Sequence, residues 1–215
     1  MTIRTFDELA DSLSSELAWR KKELSDLKFF IEQNSTSRLR KQVLSRSGIT
    51  ILYAHWEGFI KLCGSYFLEY IAMQRHKNKE LRKNLLTLSM RNYINFSQNS
   101  KKSSEYGKIT DFFMTRMNSR SSIPFKKAIN TESNLSSKVF KEITWCLGID
   151  YSIYETKEKF IDSRLLGRRN HIAHGQNMEI NVSEYNEMRE TLIEMMTNFK
   201  TQIENSAINR EYLIH

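Results

Sequence analysis

The chain has 215 residues, a formal net charge of +8 and 40% hydrophobic residues, with one proline and seven glycines. That length suits one large domain or two small ones, and the apolar content is too high for a disordered chain. So few turn-forming residues argue against an all-β fold and for long helices with few connections. The excess of Lys and Arg attracts polyanions, which makes nucleic acid the natural partner class, although many basic proteins bind none.

The N-terminus, Met1-Thr2-Ile3-Arg4-Thr5-Phe6-Asp7-Glu8, carries acidic residues where a secretory signal needs an apolar run. A first helix is expected over roughly 5–33, with Phe6, Leu9, Leu13, Leu17, Leu24, Leu27 and Ile31 in one apolar stripe. Arg20, Lys21, Lys22 and Glu23 fall between these positions and are expected mostly to face water. Asn34-Ser35-Thr36-Ser37 breaks the pattern and can cap a second helix, expected from about Arg38 to about Arg75. Asn34-Ser35-Thr36 also matches a glycosylation acceptor, which carries no weight without secretion. The middle of the second helix, Ile49 to Ile60, is apolar almost all round and should be buried on most sides. Gly48, Ala54, Gly58 and Gly64 would let other helices approach closely.

A third helix is expected over 78–97 (Leu81, Leu85, Leu88, Ile94), then a loop over 98–107 and a short helix near 108–118. Residues 119–134, with Pro124, read as an irregular connection. A helix over 135–147 should stop at Gly148. Another should start after Thr156 as N-cap and run toward His174, with Gly175 ending it. The last helix starts at Ser183 and carries Tyr185, Met188, Leu192, Met195, Met196 and Phe199 as core or dimer packing. Ile208 to His215 reads either as a fraying tail or as a partner contact.

Cys63 and Cys146 lie far apart in apolar stretches, as reduced thiols in a cytoplasmic protein do. No Cys-x-x-Cys pair marks a zinc site. No run of about 18 apolar residues marks a membrane span, so no membrane partner is expected.

Leu165-Leu166-Gly167-Arg168-Arg169-Asn170-His171-Ile172-Ala173-His174-Gly175 is the densest group of functional side chains, with two of the five histidines. A helix sets Asn170 and His174 on one face. Arg169 lies about 140° round from His174, but its long side chain can reach the same phosphate, more easily if the last turn is distorted. Arginine grips phosphate with a planar, always charged fork, and histidine moves protons near neutral pH. Together they supply what RNA cleavage by the 2′-hydroxyl needs. The spacing alone leaves other readings open. An Arg-Arg pair is usually a solvated surface feature and a helical histidine usually structural. His171 and His174 as metal ligands is the weakest reading, because no third ligand sits at a telling distance.

Arg169-Asn170-His171-Ile172-Ala173-His174 resembles the Arg-Asn-x-x-x-His signature of HEPN domains (higher eukaryotes and prokaryotes nucleotide-binding). Other blocks resemble one bacterial HEPN subfamily, in family order: Leu17 to Leu24, then Leu52-Tyr53-Ala54-His55-Trp56-Glu57-Gly58-Phe59-Ile60-Lys61, then Thr131-Glu132-Ser133-Asn134-Leu135. The resemblance implies an all-α HEPN-type bundle over residues 1–215, with long N-terminal helices and the motif helix near the C-terminal third. It also implies a homodimer with a composite active site. The activity it implies is metal-independent endoribonuclease cleavage giving a 2′,3′-cyclic phosphate and a 5′-hydroxyl, with no cofactor, in a toxin–antitoxin or phage-defence setting. A cognate antitoxin or defence-system partner protein belongs to that picture. By the same resemblance, Arg169 stabilises phosphate charge, Asn170 orients the site and His174 moves the proton. His171 falls at a variable position and takes no role. Glu57 is a supporting candidate: an acid on a nearly all-apolar helix needs a partner, and Arg169 is a candidate for it; a plain ion pair or an exposed acid is the other reading. Arg164 and Arg168, four apart, would extend a basic track for RNA. Some HEPN toxins carry a tyrosine two residues after the motif histidine, which a partner nucleotidyltransferase modifies; here that position is Gln176.

Overall fold

In a computed structural model, residues 2–33, 37–98, 102–126 and 128–214 are described. Asn34-Ser35-Thr36, the expected break and acceptor site, lies outside them. Among the described residues there is no β-strand, and the fold is all-α.

Helix α1 spans Phe6–Gln33. It opens with a reciprocal cap: the Glu8 amide donates to Thr5 Oγ1 at 3.2 Å, and the Thr5 amide to Glu8 Oε2 at 3.0 Å. Such a box satisfies two otherwise orphaned donors. Its stripe of Leu9, Leu13, Leu17, Leu24 and Ile31 is buried as the spacing required. Arg20 is not where the spacing put it. It is 3% exposed, stacked between the rings of Trp19 (4.3 Å) and Phe59 (5.5 Å) and paired with Glu16. A guanidinium is weakly hydrated and planar, so aromatic faces and one carboxylate make this burial tolerable.

Helix α2 spans Arg38–Gln74, capped by Ser37, whose side chain accepts from the Arg40 amide. It stops at Arg75, which adopts φ 59°. Its middle is buried at Ile49, Leu52, Tyr53, Trp56, Phe59 and Ile60. Ala54, expected as a packing contact, is exposed. Gly48 does serve close approach: a Cβ there would lie 2.6 Å from the Tyr185 ring.

The third helix is interrupted. A 3₁₀ turn at Asn78–Glu80 precedes helix α3, Lys83–Gln98. Buried Asn78 donates to the Arg116 carbonyl at 2.9 Å and accepts from Ser89 Oγ at 2.9 Å. The backbone around Leu81 pairs with the C-terminal segment, through Arg82 N to Tyr212 O at 3.0 Å and Ile214 N to Glu80 O at 2.9 Å. Tertiary partners thus claim backbone groups that a continuous helix would use. The tail does not fray: Tyr212 is 3% exposed, edge-on to Phe67 and Tyr70. Helix α4 covers Ser103–Thr115, so it starts inside the expected loop, of which residues 99–101 are outside the described set. Its packing against α3, with Phe112 buried beside Tyr93, supplies what local propensity lacked.

Helix α5, Ser137–Leu147, is capped by Ser136 and ended by Gly148 at φ 72°. The next helical run is not uniform. Thr156, expected as an N-cap, lies inside a 3₁₀ turn at Ser152–Lys157. A π-helical stretch, Phe160–Gly167, follows and leads directly into helix α6, Arg168–Ala173. Helix α7, Val182–Ile208, starts one residue early because Asn181 caps it, accepting from the Glu184 amide at 2.7 Å. Its methionines are core: Met188, Met195 and Met196 are at most 1% exposed. Helices α1, α2 and α7 pack on one another, with α5 and α6 against α2 and the α3–α4 pair beside α5. The buried apolar residues form one continuous cluster. No described helix is long and apolar enough to cross a membrane.

Candidate active site

The π-helical stretch ends at Gly167, with Arg168 alone between it and the motif. A π segment inserts a residue relative to α-helical register and so re-aims the side chains that follow it, and such bulges recur at functional sites. Here the two adjacent arginines separate cleanly. Arg168 turns to α7, where it pairs with Glu184 and approaches Met188 Sδ at 3.9 Å. Arg164 also turns to α7 and makes a two-pronged pair with Glu187, at 2.6 and 3.1 Å. Arg169 points the other way, to α2 and the connection before α5.

Arg169 is held by dipoles. Its Nη2 donates to Asn134 Oδ1 at 2.8 Å and to the Ser133 carbonyl at 3.4 Å. Its guanidinium lies over the Tyr53 ring, 4.0 Å from the centroid. Among the described residues its Nε has no hydrogen-bond partner. The Tyr53 hydroxyl in turn accepts from the buried Leu135 amide at 2.7 Å, and burial pushes that hydroxyl's pKa upward. Residues 131–135 therefore form a strap with several anchors. A third is Thr131, whose hydroxyl donates to Glu57 Oε1 at 2.5 Å. Glu57 is half-buried, one helical turn from Tyr53, so both face the strap. Its partner is Thr131; among the described residues it makes no ion pair with Arg169.

Asn170 is half-buried, and its carbonyl accepts from the His174 amide at 3.0 Å, keeping the two one turn apart. His174 is the C-cap of α6, exposed, and no hydrogen bond or ion pair engages its imidazole among the described residues. Gly175 follows at φ 74°, where a side chain would be strained. The segment after it is fastened to α2 by Arg46 Nη2 to the Gln176 carbonyl (3.1 Å) and by Glu179, which accepts from Arg38 and Gln42 at 2.9 and 3.0 Å. The Arg38 bond and then the Gln42 bond hold the Glu179 carboxyl below its usual pKa. His171 is exposed beside them.

The structure thus brings Tyr53, Glu57, Thr131, Asn134 and Arg169 together and leaves His174 open at the same helix. Sequence reasoning gave no role to Tyr53, Thr131 or Asn134. Both blocks carrying them are in the resemblance, which was the only signal available for residues so far apart in the chain.

A family model described as HEPN_MAE_28990-like HEPN matches residues 9–212, nearly the whole chain. The chain belongs to this HEPN family. No curated protein and no solved structure matches it. Membership in HEPN carries the chain as far as a nucleotide-binding or ribonuclease-type module. The two cysteines of this HEPN chain are free; burial pushes the Cys146 thiol up to about 11 and Cys63 further. Neither is a ready nucleophile.

Proposed function

We propose that this HEPN chain is a metal-independent endoribonuclease of the toxin or phage-defence type, acting as a homodimer on RNA. The observation that carries the reading is the pairing of an anchored guanidinium, Arg169, with an unengaged, exposed imidazole, His174, on one short helix. The 2′-hydroxyl of the substrate attacks phosphorus and the 5′-oxygen leaves. One proton must be removed and another delivered, while charge builds on the phosphoryl oxygens. Arg169 serves the charge, and Asn170 orients the group beside it. One imidazole per chain supplies one proton carrier; the two-fold mate supplies the second, which is the chemical reason for a composite site. Glu57 acts through Thr131 on the strap rather than on RNA. A cognate inhibitor or trigger is expected, since an unchecked nuclease damages its own cell.

A non-catalytic HEPN module is the second reading. It is favoured by the state of Arg164 and Arg168, whose charges are already met by Glu187 and Glu184, which leaves less basic track for RNA. Labelled RNA incubated with purified protein in chelator separates the two. The nuclease reading expects products with 2′,3′-cyclic phosphate ends, lost in Arg169→Ala and His174→Ala while helicity and dimerisation persist. Salt-sensitive retardation on a gel without cleavage would establish the binding module instead.

A further inference from the structure

A cavity of about 310 Å³ lies between α3, α5 and the chain that leads into the 131–135 strap. Leu68, Ile129 and Ile143 give it an apolar interior, and Trp145, 44% exposed, forms one wall. Small-molecule sites typically occupy about 300–1,000 Å³, mostly apolar with a few placed polar groups. This one is at the small end of that range and takes a single compact molecule.

Three charged groups line the same cavity: Arg91 from α3, Glu142 from α5 and Glu132 from the strap. Among the described residues none of the three is in an ion pair; the Glu142 carboxylate accepts a hydrogen bond from the Cys146 thiol at 3.7 Å. One guanidinium and two carboxylates around an apolar interior are the complement of a zwitterion with an apolar body. A carboxylate on the ligand matches Arg91, and an ammonium matches Glu132 and Glu142. We propose that this cavity is a binding site for a free amino acid with a large apolar side chain, seated with that side chain against Trp145.

The strap gives the site a connection to Arg169. Asn130 and Glu132 line the cavity, and the next two residues, Ser133 and Asn134, hold Arg169. Glu132 and Ser133 adopt φ of 52° and 63°, left-handed conformations that cost non-glycine residues energy. They persist because anchors on both faces hold them. A ligand that engages Glu132 therefore acts on the segment that positions Arg169. This proposal does not depend on the ribonuclease reading.

The test is titration of ¹⁵N-labelled full-length protein with L-phenylalanine, followed by backbone amide and Trp145 indole signals. Phenethylamine, which lacks the carboxylate, and 3-phenylpropanoate, which lacks the ammonium, are titrated in parallel. Phenylalanine is expected to shift the amides of 129–132 and Trp145 saturably, and each half-ligand to bind about tenfold more weakly. Arg91→Ala, at an exposed position, should weaken phenylalanine about tenfold and leave phenethylamine unchanged. No saturable shift up to about 20 mM would overturn the site. Half-ligands that bind as tightly as phenylalanine, or shifts centred on exposed Trp19, would also overturn it. The Arg169 Nε–H signal should move on saturation; a stationary signal with phenylalanine bound would refute the link.

Discussion

Tyr53→Phe removes one oxygen and leaves the ring on which Arg169 stacks. The lost atom accepts from the Leu135 amide at 2.7 Å, and Leu135 is 0% exposed. A buried N–H deprived of its acceptor costs about 1–3 kcal/mol. The variant should therefore unfold at lower urea concentration by that amount, with the denaturant slope unchanged. In a thermal scan the same loss is a fall of roughly 2–4 °C per kcal/mol for a chain of this size. Tyr53→Ala should lose more, because it also removes a buried ring, at about 3–5 kcal/mol by analogy with phenylalanine truncation. The two variants also separate anchoring from stability. At a temperature where both are folded, Tyr53→Phe should keep most RNA cleavage, and Tyr53→Ala should lose it as Arg169 loses its platform. Equal stability of Tyr53→Phe and the parent would refute the pinned strap. Full cleavage by folded Tyr53→Ala would refute the claim that the ring positions Arg169.

Asn134→Ala removes the nearest acceptor of Arg169 at an exposed position. It should lower cleavage about tenfold, roughly 1.4 kcal/mol in the barrier, with the unfolding midpoint nearly unmoved. Gly48→Ala puts a methyl 2.6 Å from the fully buried Tyr185 ring. Overpacking costs about 1–3 kcal/mol against about 1 kcal/mol of helix propensity gained, so a net loss in urea unfolding is expected and a gain would refute the contact. His55 is 6% exposed, and burial depresses its pKa although Glu23 lies 3.3 Å away. With the folded pKa below the unfolded one, the unfolded chain takes up the proton first. Stability is then full above about pH 6.5 and falls as pH drops toward the folded-state pKa. Urea midpoints at descending pH should show this in the parent and less of it in His55→Gln.

The long helices were legible because their signals are local. Leu9, Leu13, Leu17, Leu24 and Ile31 at helical spacing, Ser37 as a cap, and Gly148 as a stop each act within a few residues. Errors fell where distant partners override the local pattern. The helix expected from residue 78 is broken at Leu81–Arg82 because the C-terminal segment takes the Arg82 amide and the Glu80 carbonyl. Arg20 is buried because Trp19 and Phe59 lie on either side of it. The motif helix was legible as a motif, but not its π-helical approach, which no residue spacing announces. Glu57 was rightly expected to need a partner; that the partner is Thr131 depends on how a connection of some twenty residues folds back.

Three arginines within six residues test what a charge is for. Arg164 and Arg168 are met by carboxylates, which cancel their charge and leave them as fasteners between the motif run and α7. Arg169 is met by an amide oxygen, a carbonyl and an aromatic face. Neutral acceptors fix the direction of a guanidinium without neutralising it, so its full charge stays available to an incoming anion. A purely structural arginine in a basic chain has no need of that arrangement when a glutamate would bind it more strongly. The neutral cradle is therefore the feature that separates Arg169 from its neighbours. Asn134→Asp tests it directly: the added carboxylate should hold Arg169 more firmly and raise stability, while phosphate binding and cleavage fall. An Asn134→Asp protein that cleaves RNA as fast as the parent would show that the charge of Arg169 is not used on phosphate.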